Sequence, residues 1–221
     1  MQNVFSICTR FPGKREKLMN KQNSTVMKLA ETALLAALCY VSFTFLQIKI
    51  PVPGGDATSL HIGNTFCVLG ALLLGGWYGG LAGSIGMTIA DLMDPVYITG
   101  APKTFVLKLC IGLITGLVAH KIAKINETND KKYVFKWSLI ASIAGLAFNV
   151  IADPIVGYFY KQYILGQPQE VAGILAKLSA GATFVNAIVS TILVVIIYNA
   201  VRPALIKANL IHVHVAAANA K

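Results

Sequence analysis

The chain alternates between long apolar segments and short breaks that contain proline, glycine or charged residues. A helix needs about 20 apolar residues to cross a hydrocarbon core about 30 Å thick. A transmembrane β-barrel would instead show short segments of alternating polarity. The pattern therefore predicts an all-α membrane protein, although the second segment is short for a full crossing. The six transmembrane helices are predicted at about residues 26–48, 61–74, 78–93, 103–123, 137–160 and 171–201.

The breaks between these segments define the predicted loops. Pro51, Pro53 and the two glycines that follow cannot continue a helix, so residues 47–59 are expected to form the first outside loop. This loop either caps a cavity or only connects two spans. Pro154 either kinks the fifth span or completes its outer end, and Pro203 is expected to end the sixth span.

Composition supports a membrane protein, because only 13% of the residues are charged and the mean hydropathy is +0.66. Soluble domains have about 25% charged residues. The net charge of +10 does not indicate nucleic-acid binding, since fourteen of the 19 Lys and Arg residues lie in three clusters, at residues 1–28, 121–136 and 202–221. Positive clusters mark cytoplasmic loops. Both termini are therefore predicted to be cytoplasmic.

These features divide the chain into three parts. They are a basic cytoplasmic segment (1–24), a six-helix transmembrane domain (25–203) and a cytoplasmic tail (204–221). The first apolar segment is long enough to span and lacks a small-residue cleavage site, so it is expected to stay in the protein. His212 and His214 in the tail are only a weak metal signal, and three of the four cysteines lie in apolar segments as packing residues. We predict no metal site and no disulfide framework.

Small residues recur at helical spacing in three of the spans, in the fourth as Gly112 and Gly116. Spacings of three and four place such residues on one face, where another helix can approach closely. The third span carries a stripe of this kind at Gly79, Gly83, Gly86 and Ala90. The first span carries an alanine face at Ala30, Ala33, Ala36 and Ala37.

Polar side chains at membrane depth are few, and the predicted topology places nearly all of them in the outer half. A charge at the bilayer centre costs at least about 2.5 kcal/mol, so such groups face a cavity or one another. The pattern favours a ligand pocket that opens to the outside. Two alternatives stay open: Asp91 and Lys108 could form a purely structural pair, and Asn186 could be an interhelical hydrogen-bonding residue. The polar residues are Asp91, Asp94, Lys108, Asn149, Asp153 and Asn186, with His61 and Asn64 at the start of the second span.

Catalysis is not indicated. The chain contains no HExxH, no GxSxG and no Walker A motif, so we predict no catalytic residue, no metal and no cofactor. An ion-coupled carrier or a membrane-embedded enzyme that uses Asp91, Asp94 and Lys108 is the alternative. Six spans without inverted repeats are a small frame for alternating access.

Four stretches together resemble one family, the substrate-binding S components of energy-coupling factor (ECF) transporters, in the group of riboflavin and other vitamin carriers. They are ETALLAALCYVSF (residues 31–43), IPVPG (50–54), HIGNTFCVLGALLLGGWYGGLAGSIGMTIADL (61–92) and APKTFVLKLCIGLITGL (101–117). The resemblance covers the first four spans well and the last two mainly by hydropathy. Spans five and six depart from the riboflavin-binding pattern.

The resemblance implies a multi-pass protein of the bacterial plasma membrane that binds a vitamin from outside. Its partners would be the coupling protein EcfT and two ABC ATPases, and the alanine face of the first helix would dock on EcfT. The ligand would lie among helices four to six under a cap formed by residues 51–61. The candidate substrate-binding set is Lys108, Asn149, Asp153, Asn186, Asp91, Asp94, Tyr97, His61 and Asn64.

Overall fold

The computed structural model describes residues 14–52 and 56–208, with side chains at 25–52 and 57–208. Six helices and one β-hairpin form the described chain. The helices are α1 (Lys14–Phe45), α2 (Gly63–Leu74), α3 (Gly76–Met93), α4 (Ala101–Gly116), α5 (Lys131–Phe159) and α6 (Gln169–Lys207). A 3₁₀ turn (Ile98–Gly100) precedes α4, and π-helical turns extend α4 (Leu117–Ile122) and α5 (Tyr160–Ile164).

Four of the helical segments are long and apolar enough to cross a membrane: Thr25–Phe45, Ile98–Ile122, Lys131–Ile164 and Gln169–Lys207. The other two helices are shorter. At 1.5 Å per residue, the 12 residues of α2 span about 18 Å and the 18 residues of α3 about 27 Å. The helical architecture agrees with the predicted fold class, and α2 is as short as its sequence suggested.

Glycines set the distance between α2, α3 and α4. A Cβ at Gly79 would lie 2.0 Å from the backbone nitrogen of Ala71, and one at Gly112 would lie 2.2 Å from the Cα of Gly80. Because no side chain fits there, the three backbones touch directly. Such contact replaces the hydrophobic drive that is absent in lipid. The glycine stripe is therefore part of the internal packing.

A two-stranded antiparallel hairpin occupies most of the predicted first loop. Strand β1 (Gln47–Val52) pairs with β2 (Asp56–His61), with Pro51 opposite Ala57. The Ser59 carbonyl and the His61 N–H turn away from β1 to a side chain on α6. In an antiparallel pair of strands, hydrogen-bonded and non-hydrogen-bonded residue pairs alternate. Ser59 and His61 belong to non-hydrogen-bonded pairs, so Ala57 and its partner Pro51 form another such pair. The N–H that Pro51 lacks would therefore form no hydrogen bond with β2. The proline that breaks a helix is tolerated in this strand.

One predicted helix end is wrong, because α6 continues past Pro203 to Lys207. Helix α1 begins at Lys14, but its apolar part that is long enough to cross a membrane begins at Thr25, close to the predicted start at about residue 26. Arg202 lies inside α6, one residue before Pro203. It is buried, and its Nη2 donates to the carbonyls of Ile125 (3.0 Å) and Thr128 (3.1 Å), which ties the α4–α5 loop to α6.

The predicted cytoplasmic segments lie mostly outside the described residues. This holds for residues 1–13 and 209–221, which include His212 and His214. The division at residue 24 falls inside α1, because that helix is continuous from Lys14.

Candidate functional site

A cavity of about 130 Å³ lies at the end of the bundle that the hairpin covers. One buried water needs about 10–15 Å³ measured in this way, so the cavity has room for a small organic molecule. Strand β2, the 3₁₀ turn and helices α2 to α6 all contribute to its wall. The polar lining residues are Thr58, Ser59, His61, Asn64, Asp91, Tyr97, Thr99, Lys103, Thr104, Lys108, Asn149, Asp153, Tyr160, Lys161, Ser179, Thr183 and Asn186.

Eight of the nine candidate residues line this one cavity. The exception is Asp94, at the end of α3, whose carboxylate pairs with Lys49 of β1 and accepts a hydrogen bond from the Val96 N–H (3.1 Å). Partial desolvation raises the pKa of Asp94, but the bonds from Lys49 and Val96 outweigh it and hold the pKa below its usual value. Asp94 therefore fastens β1 to α3 and lies outside the pocket.

Asp153 is tied to two other helices. Its carboxylate forms an ion pair with Lys103 of α4 (2.9 Å) and accepts hydrogen bonds from Ser179 and from Thr183 (3.2 Å) of α6. Both partners of the ion pair are only 15% exposed. Since three donors already occupy the carboxylate, Asp153 has little capacity left for a ligand.

Lys108 and Asp91 do not form the structural pair that the sequence left open. No ion pair within residues 25–52 and 57–208 joins them, and Asp91 is bonded to the Thr104 side chain instead. Lys108 is 8% exposed, lines the cavity, and forms no hydrogen bond or ion pair through its ammonium with the described residues. A buried ammonium without a partner is costly. It marks a place for an acceptor atom.

Two buried asparagines are also unsatisfied. Asn64 on α2 and Asn149 on α5 are each 1% exposed, and the Oδ1 atom of each has no hydrogen-bond partner in the described part of the chain. Both line the cavity. Most buried polar atoms in proteins are hydrogen-bonded, so an exception at a cavity wall indicates a missing ligand or water.

Both polar atoms of the Asn186 amide are hydrogen-bonded. Its Oδ1 accepts from the His61 N–H (2.9 Å), and its Nδ2 donates to the Ser59 carbonyl (2.9 Å). Both contacts join α6 to β2, so neither is the hydrogen bond between helices that the sequence left open as an alternative. The side chain joins α6 to the hairpin.

His61 ends β2. Its Nδ1 accepts a hydrogen bond from the Gly63 N–H (3.2 Å), which requires an unprotonated nitrogen. The ring packs edge-on against Phe43 of α1, with 4.7 Å between centroids. These contacts fix the hairpin's second strand above the cavity.

The predicted alanine face of α1 is only partly exposed. Ala30, Ala33 and Ala37 are exposed. Ala36 is buried against α3, because its carbonyl would lie 2.1 Å from a Cβ at Gly86. Ala36 therefore does not belong to the exposed surface of α1 that could contact a partner protein.

Several lining residues were missed in the sequence. Lys103 was not among the predicted pocket residues. Ser179 and Thr183 precede Asn186 by seven and three positions, so the three residues share one face of α6. A polar stripe at this spacing in an apolar helix is a signal that could have identified them.

Comparison with known proteins identifies the family. The model of the ECF-type riboflavin transporter S component matches residues 23–203. The solved structure of ThiT from Listeria monocytogenes is similar, with a TM-score of 0.61 and 20% sequence identity, over 83% of this chain and 98% of that one. At this identity the likeness shows a shared fold alone. No curated protein sequence matches the chain.

The family match covers most of the chain and confirms the resemblance drawn from its motifs. It also decides against an enzyme, since S components are subunits of transporters, and it agrees with several apolar helices long enough to cross a membrane. The chain belongs to the S components of ECF-type riboflavin transporters, and it is a substrate-binding integral membrane subunit of a vitamin transporter.

Proposed function

We propose that this S component captures riboflavin or a similar small heterocyclic vitamin from outside the cell. Partner subunits, EcfT and two ABC ATPases, then drive its uptake with ATP. The observation that carries the proposal is that three buried side chains from three helices converge on one cavity: Asn64 and Asn149, whose Oδ1 atoms have no partner among the described residues, and Lys108.

The unsatisfied groups define what a ligand must offer. A side-chain amide presents one acceptor oxygen and two donor hydrogens, and an ammonium presents only donors. A ligand with ring N–H groups beside carbonyl oxygens would satisfy Asn64, Asn149 and Lys108 together. Phe43, Leu175 and other apolar lining atoms suit the faces of a planar ring. A heterocyclic vitamin of the riboflavin type meets these requirements.

The proposed topology has six spans and both termini in the cytoplasm. The basic cluster of residues 121–136 belongs to the α4–α5 connection, at the opposite end of α4 and α5 from the cavity. Since positive residues favour the cytoplasmic side, the cavity would face outward. The proposed domains remain 1–24, 25–203 and 204–221.

Replacing Asn149 with alanine is expected to weaken riboflavin binding roughly tenfold or more, because one or two hydrogen bonds to the ligand are lost. The measurement is a titration of the purified protein in detergent, followed by quenching of riboflavin fluorescence. Asn199→Ala is the matched control. Asn199 also lies in a helix, but its amide is bonded to the Val195 carbonyl (2.7 Å), outside the cavity lining.

If riboflavin binds the wild type and both variants equally, the cavity is not its site. If riboflavin fails to bind the wild type, a panel of other vitamins, followed by thermal unfolding, decides whether another heterocycle takes its place. A panel without any shift contradicts the proposal.

Docking on EcfT is proposed for the exposed alanines Ala30, Ala33 and Ala37. We expect Ala37→Trp to abolish ATP-dependent uptake in cells that express the partners, while riboflavin affinity stays unchanged, because a bulky side chain prevents close helix approach. Ala147→Trp, at an exposed alanine of α5, is the control and should leave uptake intact. Loss of binding and uptake together in Ala37→Trp would contradict a docking role.

A further inference from the structure

Asn186 differs from the other asparagines of the cavity. Its amide is 5% exposed, and both of its polar atoms are used by backbone groups of β2. The Ser59 carbonyl and the His61 N–H flank Leu60 and point to the same side of the strand. The amide therefore pairs with the free edge of β2 as a peptide group of a neighbouring strand would.

The strand that Asn186 holds is part of the cavity wall. Ala57, Thr58, Ser59 and His61 of β2 line the cavity, so the seating of β2 decides how well the ligand space is closed. Strand β1 is fastened separately, by the ion pair between Lys49 and Asp94. The Lys49 side chain is 44% exposed, and ion pairs at such positions contribute little. The buried bonds of Asn186 are the stronger attachment.

We propose that Asn186 is a positioning residue that holds the hairpin over the cavity and slows the escape of bound ligand, without binding the ligand itself. The proposal rests on the proposed function for the presence of a ligand. The hold on the hairpin is independent of the ligand, because it is formed entirely within the chain. Asn149, which has an unsatisfied amide in the same cavity, has the opposite role and contacts the ligand directly.

Hydrogen–deuterium exchange of the ligand-free protein tests the hold on the hairpin. In Asn186→Ala, the His61 amide should exchange roughly fivefold faster, since one protecting hydrogen bond is worth about 1 kcal/mol. Asn149→Ala and Asn199→Ala should leave exchange in residues 56–61 unchanged. Unchanged exchange in a folded Asn186→Ala protein would overturn the proposal.

A second variant covers the case in which Asn186→Ala does not fold. Asn186→Asp preserves the shape and the acceptor for His61, but it places a carboxylate oxygen against the Ser59 carbonyl. It should also speed exchange in residues 56–61. Wild-type exchange rates in this variant would overturn the proposal as well.

Riboflavin kinetics separate positioning from direct contact. In Asn186→Ala the dissociation rate constant should rise roughly tenfold while the association rate constant does not fall. A weaker complex with wild-type exchange in the hairpin would mean that Asn186 contacts the ligand, and would overturn the proposal. If the wild type binds no riboflavin and no other vitamin, the proposed function fails, and the exchange experiment alone decides the role of Asn186.

Discussion

Replacing Gly112 with alanine is expected to prevent the transmembrane domain from folding. The new Cβ would lie 2.2 Å from the Gly80 Cα and 2.3 Å from its nitrogen, so backbone would meet backbone with no side chain free to move aside. Overpacking in a core usually costs about 1–3 kcal/mol, and contact between two rigid helices exceeds that range. Size-exclusion chromatography in mild detergent should show aggregate in place of a single folded species.

Gly181→Ala is the matched control for this prediction. Gly181 lies in α6, where a Cβ would meet nothing within 4 Å. Because alanine favours a helix more than glycine does, this variant should be at least as stable as the wild type. A Gly112→Ala protein that elutes and melts like Gly181→Ala would contradict the close packing of α3 and α4.

Replacing Asp153 with alanine is expected to destabilise the protein by about 3–5 kcal/mol, the range for removal of one partner from a buried ion pair. The Lys103 ammonium would lose its carboxylate, and the Ser179 and Thr183 hydroxyls would lose their acceptor. Asp153 of α5 is therefore joined to α4 through Lys103 and to α6 through Ser179 and Thr183. Thermal unfolding in detergent, with riboflavin absent, measures the effect.

The exposed pair Lys124–Glu127 supplies the control. Its side chains are 58% and 51% exposed, so Glu127→Ala should change the unfolding temperature very little. The double variant Lys103→Met with Asp153→Leu should regain much of the stability, because neither position of this pair then holds an unpaired charge. An Asp153→Ala protein as stable as Glu127→Ala would show that the buried pair does not hold the helices.

The sequence predicts the helices well because a membrane helix needs a long apolar segment, which is visible without alignment. It does not predict the hairpin, because Pro51, Pro53 and the following glycines indicate a break and carry no information on pairing. The tolerated position of Pro51 depends on which side of β1 faces β2. The opposite edge of β2 bonds to Asn186, a residue more than 120 positions away in the sequence.

The candidate site residues could be predicted from their depth in the membrane, since few polar side chains lie within the apolar segments. Their partners were not found by the same reasoning. Lys103 and Lys108 lie on the same helix, and the sequence left a pair between Lys108 and Asp91 open as an alternative, whereas the lysine that pairs with an aspartate is Lys103, with Asp153. Lipid is as apolar as the interior of the helix bundle. The apolar pattern of α4 therefore does not determine which face of the helix is turned toward the other helices. Only packing decides which lysine meets which carboxylate.

The central claim is that the cavity under the hairpin holds a heterocyclic vitamin. The most direct measurement is mass spectrometry of small molecules released from the protein after purification from cells grown in rich medium. The account predicts one enriched heterocycle with ring N–H and carbonyl groups in the wild type, and its loss from Lys108→Met with Asn149→Ala. No enriched molecule, or the same molecule at equal yield from both proteins, would contradict it.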